Sequence, residues 1–226
     1  MMPHAFPDIF PPEPGLRRRL ICFDMDSTLV RGEMISILAA ELGCADEMRR
    51  LTASAVEGLT DFSASLRRRI ALLAGTDRAT YQRVARRMPV DPTLKPLMET
   101  LRGRGYTTAI VGGLDIFAVP LADEFGFDAV ACNVLGKTAD GTLTGTLEGE
   151  PLDGAAKLKR MRELRAQFHV DELSTAAAGD GINDLPMLQE AATGIAFHAV
   201  DAVRRAIPLR IDLGPLADIL PLLPAD

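Results

Sequence analysis

Leu20-Ile21-Cys22-Phe23 runs directly into Asp24-Met25-Asp26-Ser27-Thr28. The apolar run reads as a short buried strand of a parallel sheet. The end of such a strand is where open α/β sheets place their ligands. Two carboxylates on alternate residues there project into the mouth of the crevice, where one can serve as a nucleophile and the other as an acid/base. The plainer alternative is an acidic turn that caps a helix. D-x-D-x-[ST] arises by chance in roughly one window in several thousand, so the motif favours chemistry but needs company.

Outward from this stretch, residues 33–90 read as wholly helical. Leu38 and Leu42, then Met48, Leu51 and Val56, keep helical spacing, and Asp61 is placed to cap a helix bearing Phe62, Leu66, Ile70 and Leu73. Tyr81, Val84 and Met88 continue the pattern. From residue 92 the rhythm becomes helix–strand alternation. Helices are expected over 94–101, 115–125, 155–168 and 183–191, strands over 106–111, 129–133, 173–178 and 194–197. A last helix–strand pair is expected around Val203 to Leu213, ahead of an apolar tail. Asp140-Gly141 between β-prone residues marks a small hairpin within 135–150. The fold class is therefore α/β: a Rossmann-like three-layer core with a mainly parallel sheet, an inserted helical cap and a small β-hairpin. The expected division is a Pro-rich arm at 1–14, a core of 15–31 and 91–226, and a cap of 32–90 that excludes water from the sheet edge. Phe6, Ile9 and Phe10 of the arm could dock on a surface or a second subunit, against the plainer reading of a poorly ordered tail.

The chain has 226 residues, 47% of them hydrophobic, and a net charge of −6. That balance argues against a general nucleic-acid binder. Cys22, Cys44 and Cys132 are odd in number and widely spaced. They suggest buried thiols in a reducing, cytoplasmic setting, without a disulfide framework or zinc site. His4, His169 and His198 are too scattered for a histidine-rich metal site. No apolar run reaches membrane-spanning length, and the N-terminus lacks a signal-peptide pattern, so no membrane partner is expected.

Three further segments carry chemistry. Val111-Gly112-Gly113 ends a strand, and paired glycines let backbone N–H groups approach a phosphate, or merely make a turn. Lys157 near a helix start can neutralise a phosphate, but it sits among Lys159, Arg160, Arg162 and Arg165, where a solvated charge is the ordinary reading. Gly179-Asp180-Gly181-Ile182-Asn183-Asp184 has an acid where a dinucleotide fingerprint has its third glycine. Its oxygen donors suit Mg²⁺ better than a pyrophosphate or a simple helix cap.

In this order, D-x-D-S-T-L, Gly-Gly, lysine and G-D-G-x-N-D resemble the haloacid dehalogenase superfamily of phosphohydrolases, and within it the phosphoserine phosphatase family. The resemblance covers nearly everything after about residue 17, including Glu33, the DFSASLRRRIALL stretch, GGLDIFA and LTGTLEGE. It implies that Asp24 attacks phosphorus and that Asp26 protonates the leaving oxygen and then activates water. It implies Mg²⁺ on Asp24, the Asp26 carbonyl, Asp180 and Asp184, with Lys157 on the transferring group and Asn183 positioning ligand or water. Thr28, Gly112 and Gly113 match phosphate-side or motif-flanking positions. Glu33 is implied for a substrate ammonium, Arg69 for its carboxylate and Phe62 as a screen from water. The implied partner is a small phosphorylated metabolite, L-phosphoserine first, with monomer or homodimer left open.

The chain departs from the family at Val111, where a serine or threonine usually donates to phosphate. A lost donor to a charged group is worth roughly 1.5–3 kcal/mol, a slowing of about tenfold to a hundredfold. Val56 replaces a frequent methionine. Other readings are a phosphatase for a different phosphomonoester, a phosphotransferase to an alcohol such as homoserine, a phosphate-binding pseudoenzyme and, least favoured, a dinucleotide enzyme.

Overall fold

The computed structural model describes residues 18–56 and 61–224, and side chains within these except those of Ala55 and Val56. The Pro-rich arm, core residues 15–17 and the Val56 side chain lie outside the described residues. Strand β1 (Arg19–Phe23) is followed by four helices, α1 (Met34–Glu41), α2 (Ala45–Val56), α3 (Phe62–Ala71) and α4 (Arg78–Ala85). Then come α5 (Leu94–Gly103), β2 (Tyr106–Leu114), α6 (Asp115–Phe125), β3 (Ala129–Lys137), β4 (Leu143–Glu148) and α7 (Gly154–Phe168). The chain continues through β5 (Thr175–Gly179), α8 (Leu185–Glu190), β6 (Thr193–Phe197), α9 (Asp201–Ala206) and β7 (Leu209–Ile211), and ends in a 3-10 segment, Leu216–Leu222.

The strands form one sheet in the order β4-β3-β2-β1-β5-β6-β7. Every pair is parallel except the β3–β4 hairpin. The pleat sends Ile21 and Phe23 into one core, with α5, α6 and the helices of the insertion, and Leu20 and Cys22 into a second, with α7, α8 and α9. This two-sided burial is why β1 reads as a continuous apolar run. Chain order proceeds outward from β1 on both sides, so β1, β2 and β5 meet at the topological switch point, where the crevice forms.

Among the described residues of the insertion the regular elements are all helices, and the Asp61 cap is present, accepting from Ala64 N–H at 3.1 Å. Val30 and Val90, at its two ends, form an isolated bridge. The hairpin reaches back to the insertion: Gly75 N–H donates to Leu143 O at 2.8 Å and Leu143 N–H to Thr76 O at 2.9 Å.

Several boundaries differ from the periodicity. β2 runs on to Leu114, because pairing resumes beyond the glycines, and β3 to Lys137, because its second half pairs with β4. The strand expected from Leu173 starts at Thr175, because Asp171 caps a 3-10 turn at Glu172–Ser174. The helix expected from Asn183 begins as a 3-10 turn, Ile182–Asp184, before Pro186 enters α8.

Candidate active site

Asp24 follows β1, its N–H still donating to Ala178 O at 2.9 Å across the sheet. Gly112 lies beside it on β2. A Cβ there would overlap Asp24 Oδ1 and stand 3.2 Å from Lys157 Nζ, so only glycine lets the strand end close on the acid. Gly113 adopts φ +72°, and a Cβ there would strike Met25 Sδ.

Lys157 is 2% exposed, not a solvated surface charge. Asp153 caps the start of α7 by accepting from Ala156 N–H at 2.9 Å, and one turn in, the Lys157 ammonium pairs with Asp24 and with Asp184 at 2.7 Å. Burial opposes its charge, but Asp184 and Asp24 outweigh that and hold the group protonated. Asp184 is fully buried and also accepts from Gly181 N–H at 2.9 Å and Asp180 N–H at 3.2 Å, which folds the Gly179–Asp184 loop about its carboxylate.

Burial, then Asp184, raises the Asp24 carboxyl well above its ordinary range. Asp180 is pushed up to about 7 by burial and then Asp184. Carboxylate oxygens of Asp24, Asp180 and Asp184 lie within 4.8 Å of one another. An all-oxygen, acid-rich cluster of this kind can hold a hard divalent cation, which would relieve the mutual repulsion. Asp26 is outside that carboxylate trio. Its Oδ1 accepts from Met34 N–H at 2.7 Å, and burial pushes its carboxyl up to about 6 against the pull of that bond, with Glu33 adding to the rise.

A cavity of about 740 Å³ opens over these groups, lined by Asp24, Asp26, Gly112, Gly113, Lys157, Asp180 and Asn183. Across it stand Glu33, Phe62 and Arg69 from the helical insertion. Arg69 donates to Glu33 at 3.3 Å, and its buried Nε has no partner among the described residues.

Three expected residues do not line the cavity, and one of them, Asp184, is buried behind it with its carboxylate on Lys157. Val111 is fully buried with Leu20, Cys22 and Ala109, on the sheet face that packs against α7 and α8. The pleat turns it into the core, so it does not line the cavity. Thr28 is 2% exposed, absent from the cavity wall, and its Oγ1 has no partner among the described residues. Its neighbour Ser27 lines the cavity instead, in a left-handed conformation at φ 59°. That conformation is uncommon outside glycine, and no sequence pattern announced it. Asn133 also lines the cavity without any motif to flag it.

Paired acids after the central strand β1 and a second acidic loop directly after its neighbour β5 define an α/β protein with an acidic ligand site at the carboxyl ends of its strands. The haloacid dehalogenase-like hydrolase family matches residues 21–189, and the chain belongs to it. It is 39% identical over 213 residues to a phosphoserine phosphatase of Streptomyces coelicolor, covering 92% of this chain and 52% of that one. It is 42% identical over 188 residues to a phosphoserine phosphatase of Mycobacterium tuberculosis, covering 83% and 46%. The chain thus spans about half the length of these two curated relatives. A solved phospho-aspartyl intermediate analogue of phosphoserine phosphatase superposes with TM-score 0.85 at 33% identity, covering 92% of this chain and 100% of the other.

Proposed function

We propose that the chain is a Mg²⁺-dependent phosphomonoester hydrolase that releases phosphate from L-phosphoserine by way of an aspartyl-phosphate on Asp24. The observation that carries this reading is the convergence of Asp24, Asp26, Lys157 and Asp180 on one cavity beside Gly112, with Asp184 buried behind them against Lys157.

In the first step a carboxylate oxygen of Asp24 attacks phosphorus and the bond from phosphorus to the serine oxygen breaks. Asp26 gives that oxygen its proton, a role that suits a carboxyl pushed up to about 6. In the second step water attacks phosphorus, Asp26 takes its proton, and the Asp24–phosphorus bond breaks. Lys157 faces Asp24 from the buried side and compensates charge on the transferring group. Asp24, Asp180 and Asp184, with the Asp26 carbonyl, would hold Mg²⁺, which supplies charge neutralisation at the phosphoryl oxygens. Asn183, at the cavity wall, positions ligand or water.

Glu33 and Arg69 support an amino-acid ester. One offers a carboxylate to an ammonium, the other a guanidinium with a spare buried donor to a carboxylate. Phe62 screens the reaction from water, with residues 32–90 acting as a cap on the core of 15–31 and 91–226. The relatives named phosphoserine phosphatase support the same substrate. Three free thiols fit a reducing cytoplasm, and among the described residues no helix is long and apolar enough to cross a membrane.

A phosphate-release panel of phosphoserine, phosphothreonine, sugar phosphates and nucleotides, with and without homoserine as acceptor, tests the reading. Phosphoserine should lead, EDTA should abolish release and Mg²⁺ restore it. Asp24→Asn should lose on the order of a thousandfold or more. Full activity in Asp24→Asn would sink the mechanism, and a preference for sugar phosphates would sink the substrate.

A further inference from the structure

β2 and β3 pair from Ala109↔Ala129 to Val111↔Ala131 and again at Leu114↔Asn133, so β2 makes three steps where β3 makes two. The additional residue is a bulge at Gly112–Gly113, and a bulge leaves ladder groups unpaired. Asn133 meets one of them: its Nδ2 donates to Gly113 O at 3.2 Å. The Oδ1 of the same amide accepts from Leu152 N–H at 2.8 Å. One partner is a carbonyl and the other an N–H, so the orientation of the amide is decided. Asn133 is 8% exposed, and Leu152 directly precedes Asp153, the cap of the helix that carries Lys157.

We propose that Asn133 is a positioning residue for phosphoryl transfer, tying the bulged glycines to the segment that launches Lys157. The proposal rests on the phosphatase reading. Asn133 makes no hydrogen bond to Asp24 or Asp26. It sets the separation between Gly112 and Lys157, the two groups that crowd the same carboxylate oxygen of Asp24. A misplacement of about 1 Å at such a site can cost a hundredfold in rate.

A comparable link at the other end of the same strand pair separates this role from ordinary packing. Asp128 there accepts from Thr108 N–H at 2.8 Å and from its Oγ1 at 3.0 Å, away from the cavity. The test compares Asn133→Leu, which is neutral and similar in volume, and Asn133→Ser with Asp128→Asn. The measurements are kcat and KM on phosphoserine and p-nitrophenyl phosphate, thermal-shift affinity for orthovanadate, and Tm. Asn133→Leu should lower kcat about ten- to hundredfold on both esters and weaken orthovanadate about tenfold or more. KM for phosphoserine should move less than about threefold, because Glu33 and Arg69 hold its other end. Asn133→Ser should fall between, and Asp128→Asn should lower Tm with kcat nearly unchanged. A kcat within twofold of the parent at unchanged vanadate affinity overturns the proposal, as does an equal loss in Asp128→Asn. If Asn133→Leu does not fold, Asn133→Ser is read by the same criteria. A parent protein that binds orthovanadate but cleaves neither ester defeats the phosphatase reading instead, while the vanadate comparison still decides Asn133.

Discussion

Lys157 carries the largest change of meaning between chain and fold. In sequence it is one cation among five on a charged helix. In space it is buried between Asp24 and Asp184, while Arg160 and Arg162 stay at the surface with Glu163 and Glu190. Removing one member of a buried ionic group leaves the others unpaired, at a cost of roughly 3–5 kcal/mol. Lys157→Met should lower Tm accordingly in EDTA, and added Mg²⁺ should recover part of the loss, as read by thermal denaturation. Val111 moves the opposite way. The family pattern suggested a missing phosphate donor, but the side chain packs in the second core. Val111→Ser should therefore leave turnover no higher and cost about 1–3 kcal/mol for an unpaired buried hydroxyl, measured by kcat and urea unfolding. The acids were legible because their spacing and chemistry are unusual. Ser27 and Asn133 were not, because a left-handed serine and a strand-end asparagine have no distinctive local signature.

At the scale of elements, the joints matter more than the elements. The periodicity finds the helices and strands, but it ends β2 at the glycines, where the bulge instead lets pairing resume at Leu114. That bulge brings Gly112 against Asp24. Gly112→Ala should abolish most turnover while the far-ultraviolet circular dichroism stays native, since the added methyl meets Asp24, the nucleophile of the proposed mechanism, and not the core. The hairpin joint behaves differently. Gly145 sits at φ +76°, and a Cβ there would lie 2.7 Å from Ala74 Cβ and 3.1 Å from Ala71 O. Gly145→Val should pry β4 from α3, and limited proteolysis should then cut the insertion faster than in the parent protein. This contact was not legible from the Asp140-Gly141 turn, which specifies the hairpin but not what the hairpin leans on.

Across the whole molecule, two cores flank the sheet, with Cys22 inside one and Cys44 and Cys132 packed against the other. Burial pushes Cys22 up to about 12, with Arg165 opposing, and pushes Cys132 up to about 12, with Asp115 adding to the rise. Both values lie above the ordinary thiol value of 9.0, so the folded protein keeps protons that the unfolded chain loses above that pH. Stability from these thiols is fully present below about pH 9 and falls between pH 9 and 12, by about 1.4 kcal/mol per pH unit for each thiol. Urea unfolding at pH 8 to 10.5 should reveal that fall, and Cys22→Ala with Cys132→Ala should flatten it. The sequence by itself determined the class of fold, the identity of the acids and the helical nature of the insertion. Hydrophobic period and motif order are local properties, written in neighbouring residues. Only the tertiary structure decided that β1, β2 and β5 lie side by side, that Lys157 is inside, that Val111 turns away and that Asn133 joins two strand ends. Each of these depends on strand order, pleat and burial, and those are settled by contacts between residues far apart in the chain.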